Sequence, residues 1–353
     1  MIGVDLFSGA GGMSLGARWA GIDVRVAVEI HPAAARTHAR NHSSCMTVQG
    51  DLRHIGGFFN GRSKADELVV FGGPPCQAFS TSNQRTRGPN NSKNLLFREF
   101  LRLVKLLRPE WVVFENVPGI LERRSKSYVA EIEERLHKLG YGTSSGVLNA
   151  VDFGVPQFRK RFFIIGALGR DAPTLPDPSV KEPVTVADAI SDLPVLRNGA
   201  SVSQLRYRQD ANSSYSRKMR GQRSDCSGNI VSENAEFVVR RYKYIPQGGN
   251  WSDIPAKYMR NYADRFRCHT GIYHRLCSTE PSVVIGNFRK NMLIHPTQDR
   301  GLSVREAARL QSFPDWYVFE GSIGLQQQQV GNAVPPLLAK AVFRAIAQAA
   351  IRD

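Results

Sequence analysis

The sequence has few cysteines and no long apolar run. Its five cysteines include no CxxC pair, which argues against a disulfide scaffold or a zinc ribbon in a chain of 353 residues. Cys268, His269, His274 and Cys277 lie close together, but their spacing matches no zinc motif, so we expect no metal. The longest apolar run, FFIIGAL at 162–168, is too short to span a bilayer, and no basic segment precedes an apolar one at the N-terminus. We therefore expect a protein of the reducing cytoplasm with no membrane partner.

Acidic residues are scarce relative to basic ones. Lys and Arg number 47 against 31 Asp and Glu, so the formal net charge is +16 and the pI is near 9.9. Residues 200–300 carry 17 Lys and Arg against 8 Asp and Glu, which is more than half of the whole excess. Such a concentrated positive field is typical of proteins that bind nucleic acid, although a merely soluble basic surface has the same composition.

The beginning of the chain has the pattern of an α/β protein. Its first 120 residues alternate short β-type runs with helical patterns, which predicts βαβ units and a parallel sheet. We expect strands at 2–7, 23–28, 46–48, 68–71 and 111–114, and a helix at 95–107. The predicted fold class is α/β, a Rossmann-like, doubly wound and mostly parallel sheet with a smaller inserted domain.

Glycine or a polar residue follows each predicted strand. In chain order these residues are Gly9, Gly11 and Gly12, then Glu29, Asp51, Cys76 and Glu115. The carboxyl ends of parallel strands meet at one edge of a sheet, where ligands bind in doubly wound folds. We therefore expect a binding site at this edge, although a single polar residue after a strand is more often a cap or a turn.

The turn after the first predicted strand is rich in glycine. Its sequence, GAGGMS at 9–14, departs from the dinucleotide-binding pattern GxGxxG because Ser14 stands at the third glycine position. A glycine turn before a helix still lets a ligand approach the backbone, and Glu29 can accept hydrogen bonds from ribose hydroxyls. These features favour a nucleoside cofactor and disfavour a nicotinamide-dependent oxidoreductase.

Cys76 lies directly after two glycines and two prolines, in VVFGGPPCQAFS at 69–80. The fixed φ angles of Pro74 and Pro75 limit the freedom of this loop. Most free cysteines are inert and buried. A rigid thiol predicted beside Glu115 nevertheless suits covalent attack on an electron-poor ring, with the acid protonating or hydrogen bonding a ring nitrogen.

Six short motifs span most of the chain. They are DLFSGAGG (5–12), GGPPCQAFS (72–80), ENV (115–117), QFRKR (157–161), REAARLQSFPD (305–315) and GNAVPP (331–336). In order and spacing they resemble the motif series of the C5-cytosine-specific DNA methyltransferases, over nearly the whole chain except about 171–300. The resemblance implies the class I methyltransferase fold and S-adenosylmethionine as cofactor, with S-adenosylhomocysteine as its product. It also implies a target cytosine swung out of the duplex.

The resemblance gives catalytic roles to four residues. It makes Cys76 the nucleophile that adds to C6 of cytosine, and Glu115 the acid that engages N3 and the exocyclic amine. Arg159 and Arg161 of QFRKR would hold the flipped base and the catalytic loop. Of these two arginines, Arg161 is favoured for contact with the base.

The resemblance also implies a cofactor site. It places Phe7 against the adenine, Glu29 on the ribose hydroxyls and Asp51 on the adenine amino group. Pro75 and Leu96 would line that pocket. The full predicted set is Phe7, Gly9, Gly11, Gly12, Glu29, Ile30, Asp51, Leu52, Gly73, Pro75, Leu96 and Asn332, the last of which would reach the methionine end.

The composition predicts two domains. A Pro-rich stretch, DAPTLPDPSVKEP at 171–183, precedes the basic region. We expect a catalytic, S-adenosylmethionine-binding domain at 1–180 and 323–353. We expect a target-recognition domain with a hinge at 181–322, supported by the motif at 302–315. Its basic and Tyr-rich clusters at 215–223, 240–251 and 260–267 suit a surface that tracks DNA phosphates.

The sequence predicts a sequence-specific DNA (cytosine-5-)-methyltransferase, EC 2.1.1.37, that acts by base flipping. It would be the modification enzyme of a restriction-modification system, or an orphan or phage enzyme, in a prokaryotic or phage-infected cell. We expect double-stranded DNA as its partner, a separate cognate restriction endonuclease, and a monomer. Two alternatives stay open: the same chemistry on a structured RNA such as tRNA, and a non-catalytic DNA-binding protein. The large basic insertion favours duplex DNA, and the intact set of Cys76, Glu115 and Arg161 favours an enzyme.

Overall fold

A seven-stranded sheet with buried apolar central strands is present in the computed structural model, which describes residues 1–55, 66–75, 96–122, 126–260, 271–286, 288 and 293–352. The strands are β1 (Ile2–Leu6), β2 (Asp23–Glu29), β3 (Met46–Gln49), β4 (Leu68–Gly72), β5 (Trp111–Asn116), β6 (Tyr141–Asn149) and β7 (Lys160–Leu168). Every residue of β1, β4 and β5 is buried, as expected for central strands of a parallel sheet covered on both faces.

The strand order is β3-β2-β1-β4-β5-β7-β6. Strands β1 to β5 run parallel to one another, whereas β7 runs antiparallel to its neighbours β5 and β6. The order reverses between β1 and β4, and ligands of doubly wound sheets bind in the crevice at such a switch point. The five predicted strands and the predicted fold class are confirmed.

Helices cover the sheet and continue through the rest of the chain. They are α1 (Gly12–Trp19), α2 (Pro32–Asn41), α3 (Leu96–Leu107), α4 (Lys126–Lys138), α5 (Val186–Ile190), α6 (Ser214–Arg220), α7 (Glu236–Tyr242), α8 (Val304–Leu310), α9 (Ile323–Asn332) and α10 (Pro336–Arg352). Two short strand pairs lie between them: β8 (Ser201–Arg206) with β9 (Asp225–Ile230), and β10 (His274–Arg275) with β11 (Leu293–Ile294). Helix α3 packs its apolar face on the sheet, and Phe100 meets Phe114 of β5 edge to face at 5.6 Å.

The chain divides into two compact units. The first comprises Met1–Phe153, Lys160–Ser179 and Val334–Asp353 and contains the seven-stranded sheet, and the second comprises Gly154–Arg159 and Val180–Ala333. Helix α9 falls in the second unit because it packs on α8, and the Gln311 side chain donates to the Val330 carbonyl at 2.8 Å. The sequence had placed α9 with the catalytic domain. The role of the second unit in target recognition stays a prediction.

Helix α10 packs against α1 at a close approach that Gly16 allows. A Cβ at Gly16 would lie 2.5 Å from the Ala339 Cβ. The stretch Ile323–Ile351 is apolar and long enough to cross a membrane by length and composition, and half of its most apolar window is buried inside the protein. The core helix of a soluble protein can have the same length and composition. Helix α10 packs on α1 as a core helix does.

Several arginines of the second unit are buried. They are Arg159, Arg241, Arg275, Arg300, Arg305 and Arg309. Arg300 pairs with Glu306 through two hydrogen bonds of 2.8 and 2.6 Å. Arg309 bridges Asp192 and Asp315 through four hydrogen bonds of 2.6 to 3.2 Å. The surface of this unit is therefore less basic than the residue count of its sequence indicates.

Replacing Arg309 by methionine is expected to lower the free energy of unfolding by about 3–5 kcal/mol. Asp192 and Asp315 are both fully buried. Asp192 would lose its arginine partner, and of the two arginines paired with it Asp315 would keep only Arg305, at 3.9 Å. Urea denaturation followed by circular dichroism measures the effect. The matched control is Arg217→Met at an exposed position of α6, which should change the stability by less than about 0.5 kcal/mol. Equal stability of the two variants would contradict this account of the buried ion pairs.

Candidate active site

The carboxyl edge of the sheet begins with a strained turn after β1. Phe7 has a φ of 63°, which aromatic residues rarely adopt, and Gly9 and Gly11 follow with φ values of 55° and 88°. A Cβ at Gly9 would meet nothing within 4 Å, so the backbone there faces open space. Gly11 is the N-cap of α1, and Gly12 is its first residue. The turn therefore lets a ligand approach backbone N–H groups at a helix N-terminus.

Glu29 ends β2 and holds this turn. Its Oε2 accepts a hydrogen bond from the Gly9 N–H at 2.8 Å, and its Oε1 accepts one from the His31 N–H at 2.7 Å. The next residue, Ile30, is 62% exposed and offers an apolar surface beside the carboxylate. An apolar surface next to an acceptor suits a ligand that carries both a flat ring and hydroxyl groups.

Asp51 has a partner that the sequence did not predict. Its carboxylate accepts a hydrogen bond from the Arg53 N–H at 3.0 Å and pairs with the Arg53 guanidinium at 2.5 to 3.1 Å. The hydrogen bonds from Arg53 hold the pKa of Asp51 down at about 2. An adenine amino group would have to share this carboxylate with Arg53.

The other predicted cofactor residues lie on several elements. Leu52 is buried in a short 3₁₀ helix, Leu52–His54, while Gly73 and Pro75 follow β4 and Leu96 begins α3. Asn332 is exposed at the end of α9 in the second unit. The chemistry of the first unit's edge fits an adenosine-type cofactor. Phe7 and Ile30 supply apolar surface, Glu29 supplies an acceptor, and the open backbone at Gly9 completes the fit.

Glu115 and Arg161 form an ion pair where β5 meets β7. Arg161 Nε lies 3.1 Å from Glu115 Oε1, and the side chains of Arg161 and Glu115 are 12% and 10% exposed. The antiparallel pairing of β5 with β7 brings the two residues together. A Cβ at Gly73 would lie 2.4 Å from Glu115 Oε2, so a larger residue at this position would displace the carboxylate.

Asn116 ties that loop to β5, a role that the sequence did not identify beyond its place in the ENV motif. Its Nδ2 donates to the Pro74 carbonyl at 3.2 Å, and its Oδ1 accepts from the Val117 N–H at 2.9 Å. The start of the loop is therefore held beside Glu115. Cys76 follows Pro75 in the chain and lies outside the described residues, as do residues 77–95, so its nucleophilic role stays a prediction.

Arg159 lies in the second unit and is 1% exposed. Its guanidinium donates to the carbonyls of Ile285 at 3.1 Å, Gly331 at 2.8 Å and Ala333 at 2.9 Å. These bonds join segments that are far apart in the sequence. They show that Arg159 holds other segments of the second unit, while its predicted role at the flipped base and the catalytic loop stays a prediction.

A chain of buried hydrogen bonds joins β1, α1, α2 and β3 next to the glycine turn, and the sequence gave no prediction of it. Ser14 Oγ donates to Asp5 Oδ2 at 2.6 Å, and His38 Nε2 lies 3.0 Å from Ser14 Oγ. Thr47 Oγ1 lies 2.8 Å from His38 Nδ1. Asp5, Ser14 and His38 are at most 1% exposed. The one signal in the sequence was Ser14 itself, at a position where many related turns carry glycine.

The pKa of Asp5 is raised to about 8 by burial, with a smaller contribution from Glu29 and opposition from the Ser14 hydrogen bond. The folded state then keeps a proton that the unfolded state loses above about pH 4, so stability should fall as the pH rises toward 8. Between pH 6.5 and 8, the free energy of unfolding of the wild type should fall by up to about 1.4 kcal/mol per pH unit because of Asp5. Asp5→Asn should lack this contribution to the slope. Thermal unfolding across this pH range measures the slope. Asp23→Asn, at an exposed position, is the control, and an unchanged slope in Asp5→Asn would contradict the protonated state.

Cys268, His269, His274 and Cys277 are the residues whose closeness in the sequence would suggest a zinc site. Within the described ranges, no group of three or more His, Cys, Asp or Glu side chains is placed to hold a metal ion. His274 and Cys277 are described, whereas Cys268 and His269 lie outside those ranges. The expectation of no metal therefore stays a prediction.

The chain is similar to known methyltransferases over nearly its whole length. It is 39% identical over 354 residues to the Type II methyltransferase M1.HphI of Haemophilus parahaemolyticus, covering 97% of this chain and 86% of that protein. It is 34% identical over 370 residues to the Type II methyltransferase M.XorII of Xanthomonas oryzae pv. oryzae, covering 97% and 83%. A solved E. coli prophage structure, described as a DNA modification methyltransferase, matches with a TM-score of 0.80 at 28% identity and 99% coverage of both chains.

The fold and these similarities define a methyltransferase of the α/β class. The model of the family described as C-5 cytosine-specific DNA methylase matches residues 1–348, and the chain belongs to this family. The predicted family and the predicted reaction, methyl transfer to C5 of cytosine in DNA, are confirmed by this match. The RNA alternative is less favoured, since the similar bacterial proteins are named Type II methyltransferases.

Proposed function

We propose that this chain methylates cytosine within one specific sequence of double-stranded DNA, by base flipping and covalent attack of Cys76 on cytosine C6. The observation that supports this most directly is the Glu115–Arg161 ion pair beside Gly73, at the carboxyl ends of β4 and β5. The loop that Asn116 holds there leads directly to Cys76. A thiol, an acid and a guanidinium at one edge are the groups that addition to a pyrimidine ring needs.

In this proposal the Cys76 thiolate forms a bond to C6 of the flipped cytosine. Glu115 gives a proton or a hydrogen bond to N3 at the same time, so that C5 becomes nucleophilic. S-adenosylmethionine, when bound, supplies the methyl group that C5 takes up. Loss of the C5 proton to a base then re-forms the C5–C6 double bond and expels the Cys76 thiolate. A proton that N3 took from Glu115 returns to Glu115 at this stage. Arg161 orients Glu115 and contacts the base, while Arg159 helps to hold the catalytic loop that contains Cys76.

The family implies S-adenosylmethionine as cofactor, and we place it at the carboxyl edge of β1 to β4. Phe7 and Ile30 would pack on the adenine, and Glu29 would accept hydrogen bonds from the ribose hydroxyls. The open backbone at Gly9 would face the ligand directly. The remaining proposed contacts are Gly11, Gly12, Asp51, Leu52, Gly73, Pro75, Leu96 and Asn332.

Double-stranded DNA is proposed to contact exposed cations of the second unit. These are Arg206, Arg208, Arg217, Lys218, Arg240, Lys243, Lys257 and Arg260. Contacts of this kind fix the register on the phosphates and leave sequence reading to other side chains. We also propose that the chain is a monomeric, cytoplasmic modification enzyme with a separate cognate restriction endonuclease, or an orphan or phage enzyme. The similar bacterial proteins are named Type II methyltransferases, which supports the modification role.

Transfer of a tritiated methyl group from S-adenosylmethionine tests the substrate class. We expect label in duplex plasmid DNA and none in tRNA present at equal mass. Excess tRNA should leave the incorporation into duplex DNA unchanged. Label in tRNA alone would favour the structured-RNA alternative, and label in neither would favour a non-catalytic DNA-binding protein.

A further inference from the structure

The buried hydrogen bonds around Ser14 run in one direction. Ser14 Oγ donates to Asp5 Oδ2 at 2.6 Å and lies 3.0 Å from His38 Nε2, an arrangement in which the Ser14 oxygen accepts from His38 Nε2–H. His38 Nδ1 is then the acceptor for the Thr47 hydroxyl. Burial lowers the pKa of His38 well below its usual value, which agrees with a neutral ring.

These hydrogen bonds lie on both sides of the glycine turn. Asp5 is in β1, two residues before Phe7, and Ser14 is in the first turn of α1. His42 stacks on His38 with 4.4 Å between ring centroids, and the His42 ring is hydrogen bonded to the backbone of Gly11. We name Asp5, Ser14, His38, His42 and Thr47 the Ser14 relay.

The position of the Ser14 relay indicates more than packing. Apolar side chains would fill the same space without the cost of burying hydroxyl and imidazole groups. A buried polar network whose members are all satisfied fixes one geometry. The geometry fixed here includes the left-handed residues Phe7, Gly9 and Gly11, which would relax without such support.

We propose that the Ser14 relay is a positioning device that holds the glycine turn in its ligand-binding shape and so sets the affinity for S-adenosylmethionine. This inference rests on the cofactor assignment made above. The relay acts through the backbone of Gly9 and Gly11, and Ser14 and His42 are positioning residues. Breaking it should raise the KM for the cofactor while kcat at saturating cofactor and the KM for DNA change little.

Isothermal titration of the full-length protein with S-adenosylhomocysteine, without DNA, measures this directly. Ser14→Ala and His42→Leu should each bind on the order of 10- to 100-fold more weakly than the wild type, because each removes a buried hydrogen bond to the turn or its helix. His42→Gln can still donate to the backbone of Gly11 and should stay within about 3-fold of the wild type. Ser44→Ala is the matched control, because Ser44 is exposed and its hydroxyl accepts from Arg18, which is not a member of the Ser14 relay.

Four outcomes decide the proposal. The proposal is supported if Ser14→Ala and His42→Leu bind weakly, if His42→Gln binds like the wild type, and if all three variants unfold cooperatively on heating. Wild-type affinity in Ser14→Ala and His42→Leu overturns it while leaving the cofactor assignment intact. Equal weakness of His42→Gln and His42→Leu overturns it in favour of a loss of packing. A wild-type protein that fails to bind S-adenosylhomocysteine overturns the cofactor assignment and the relay's proposed role together.

Discussion

Replacing Cys76 by alanine is expected to abolish methyl transfer to DNA, with a loss of at least about 10⁴-fold. The covalent step needs a thiolate at a fixed place, and alanine offers no nucleophile. The loop before Cys76 is described as far as Pro75, and Asn116 holds it through the Pro74 carbonyl. The smaller side chain leaves this frame in place. Incorporation of tritiated methyl groups into plasmid DNA measures the loss.

Cys45 and Cys226 are poor candidates for the nucleophile, because a nucleophilic thiol must lose its proton. Burial raises the pKa of the Cys45 thiol to about 12 and that of the Cys226 thiol to about 11. The control Cys277→Ala should keep its activity within about 2-fold. A duplex that contains 5-fluorocytosine gives a second readout, since its C5 carries no proton to lose after methylation. Wild type should form an adduct with it that survives denaturant, and Cys76→Ala should form none. An active Cys76→Ala variant would remove this residue from the nucleophile role.

Replacing Glu115 by glutamine should lower the rate of methyl transfer by about 10²- to 10⁴-fold. Glutamine keeps the size of the side chain, but it cannot supply an acidic proton to the ring nitrogen. It also removes the negative charge that lies 3.1 Å from Arg161. Single-turnover rates at saturating DNA and saturating S-adenosylmethionine isolate this step from binding.

Glu122→Gln is the matched control for Glu115, because Glu122 is exposed shortly after β5. It should keep the wild-type rate within about 2-fold. Glu115→Gln should still bind S-adenosylhomocysteine, since Glu115 is not one of the proposed cofactor contacts. A wild-type single-turnover rate in Glu115→Gln would show that another group supplies the acid.

The sheet and its functional edge could be predicted because their signals are local. Strands β1, β4 and β5 are short runs of buried apolar residues, and turn residues mark where they end. Parallel pairing then places the residues that follow these strands on one edge. Glu29 and the Gly73 loop could therefore be assigned to a common site without tertiary information.

The partners of polar side chains could not be predicted, because they depend on residues that only the fold brings together. Asp51 is paired with Arg53, and Arg159 is enclosed by carbonyls up to 174 residues away in the sequence. Arg275, counted among the basic residues of 200–300, is buried. Ser14 looked like a departure from a glycine pattern, whereas it joins β1 to His38, 24 residues further along the chain.

Bisulfite sequencing of plasmid DNA from a bacterial host that expresses this chain tests the central claim most directly. The account predicts that cytosines within one recurring sequence resist conversion, and that the same plasmid from a host expressing Cys76→Ala converts completely. Complete conversion in both hosts, with the wild-type protein present and folded, would contradict it.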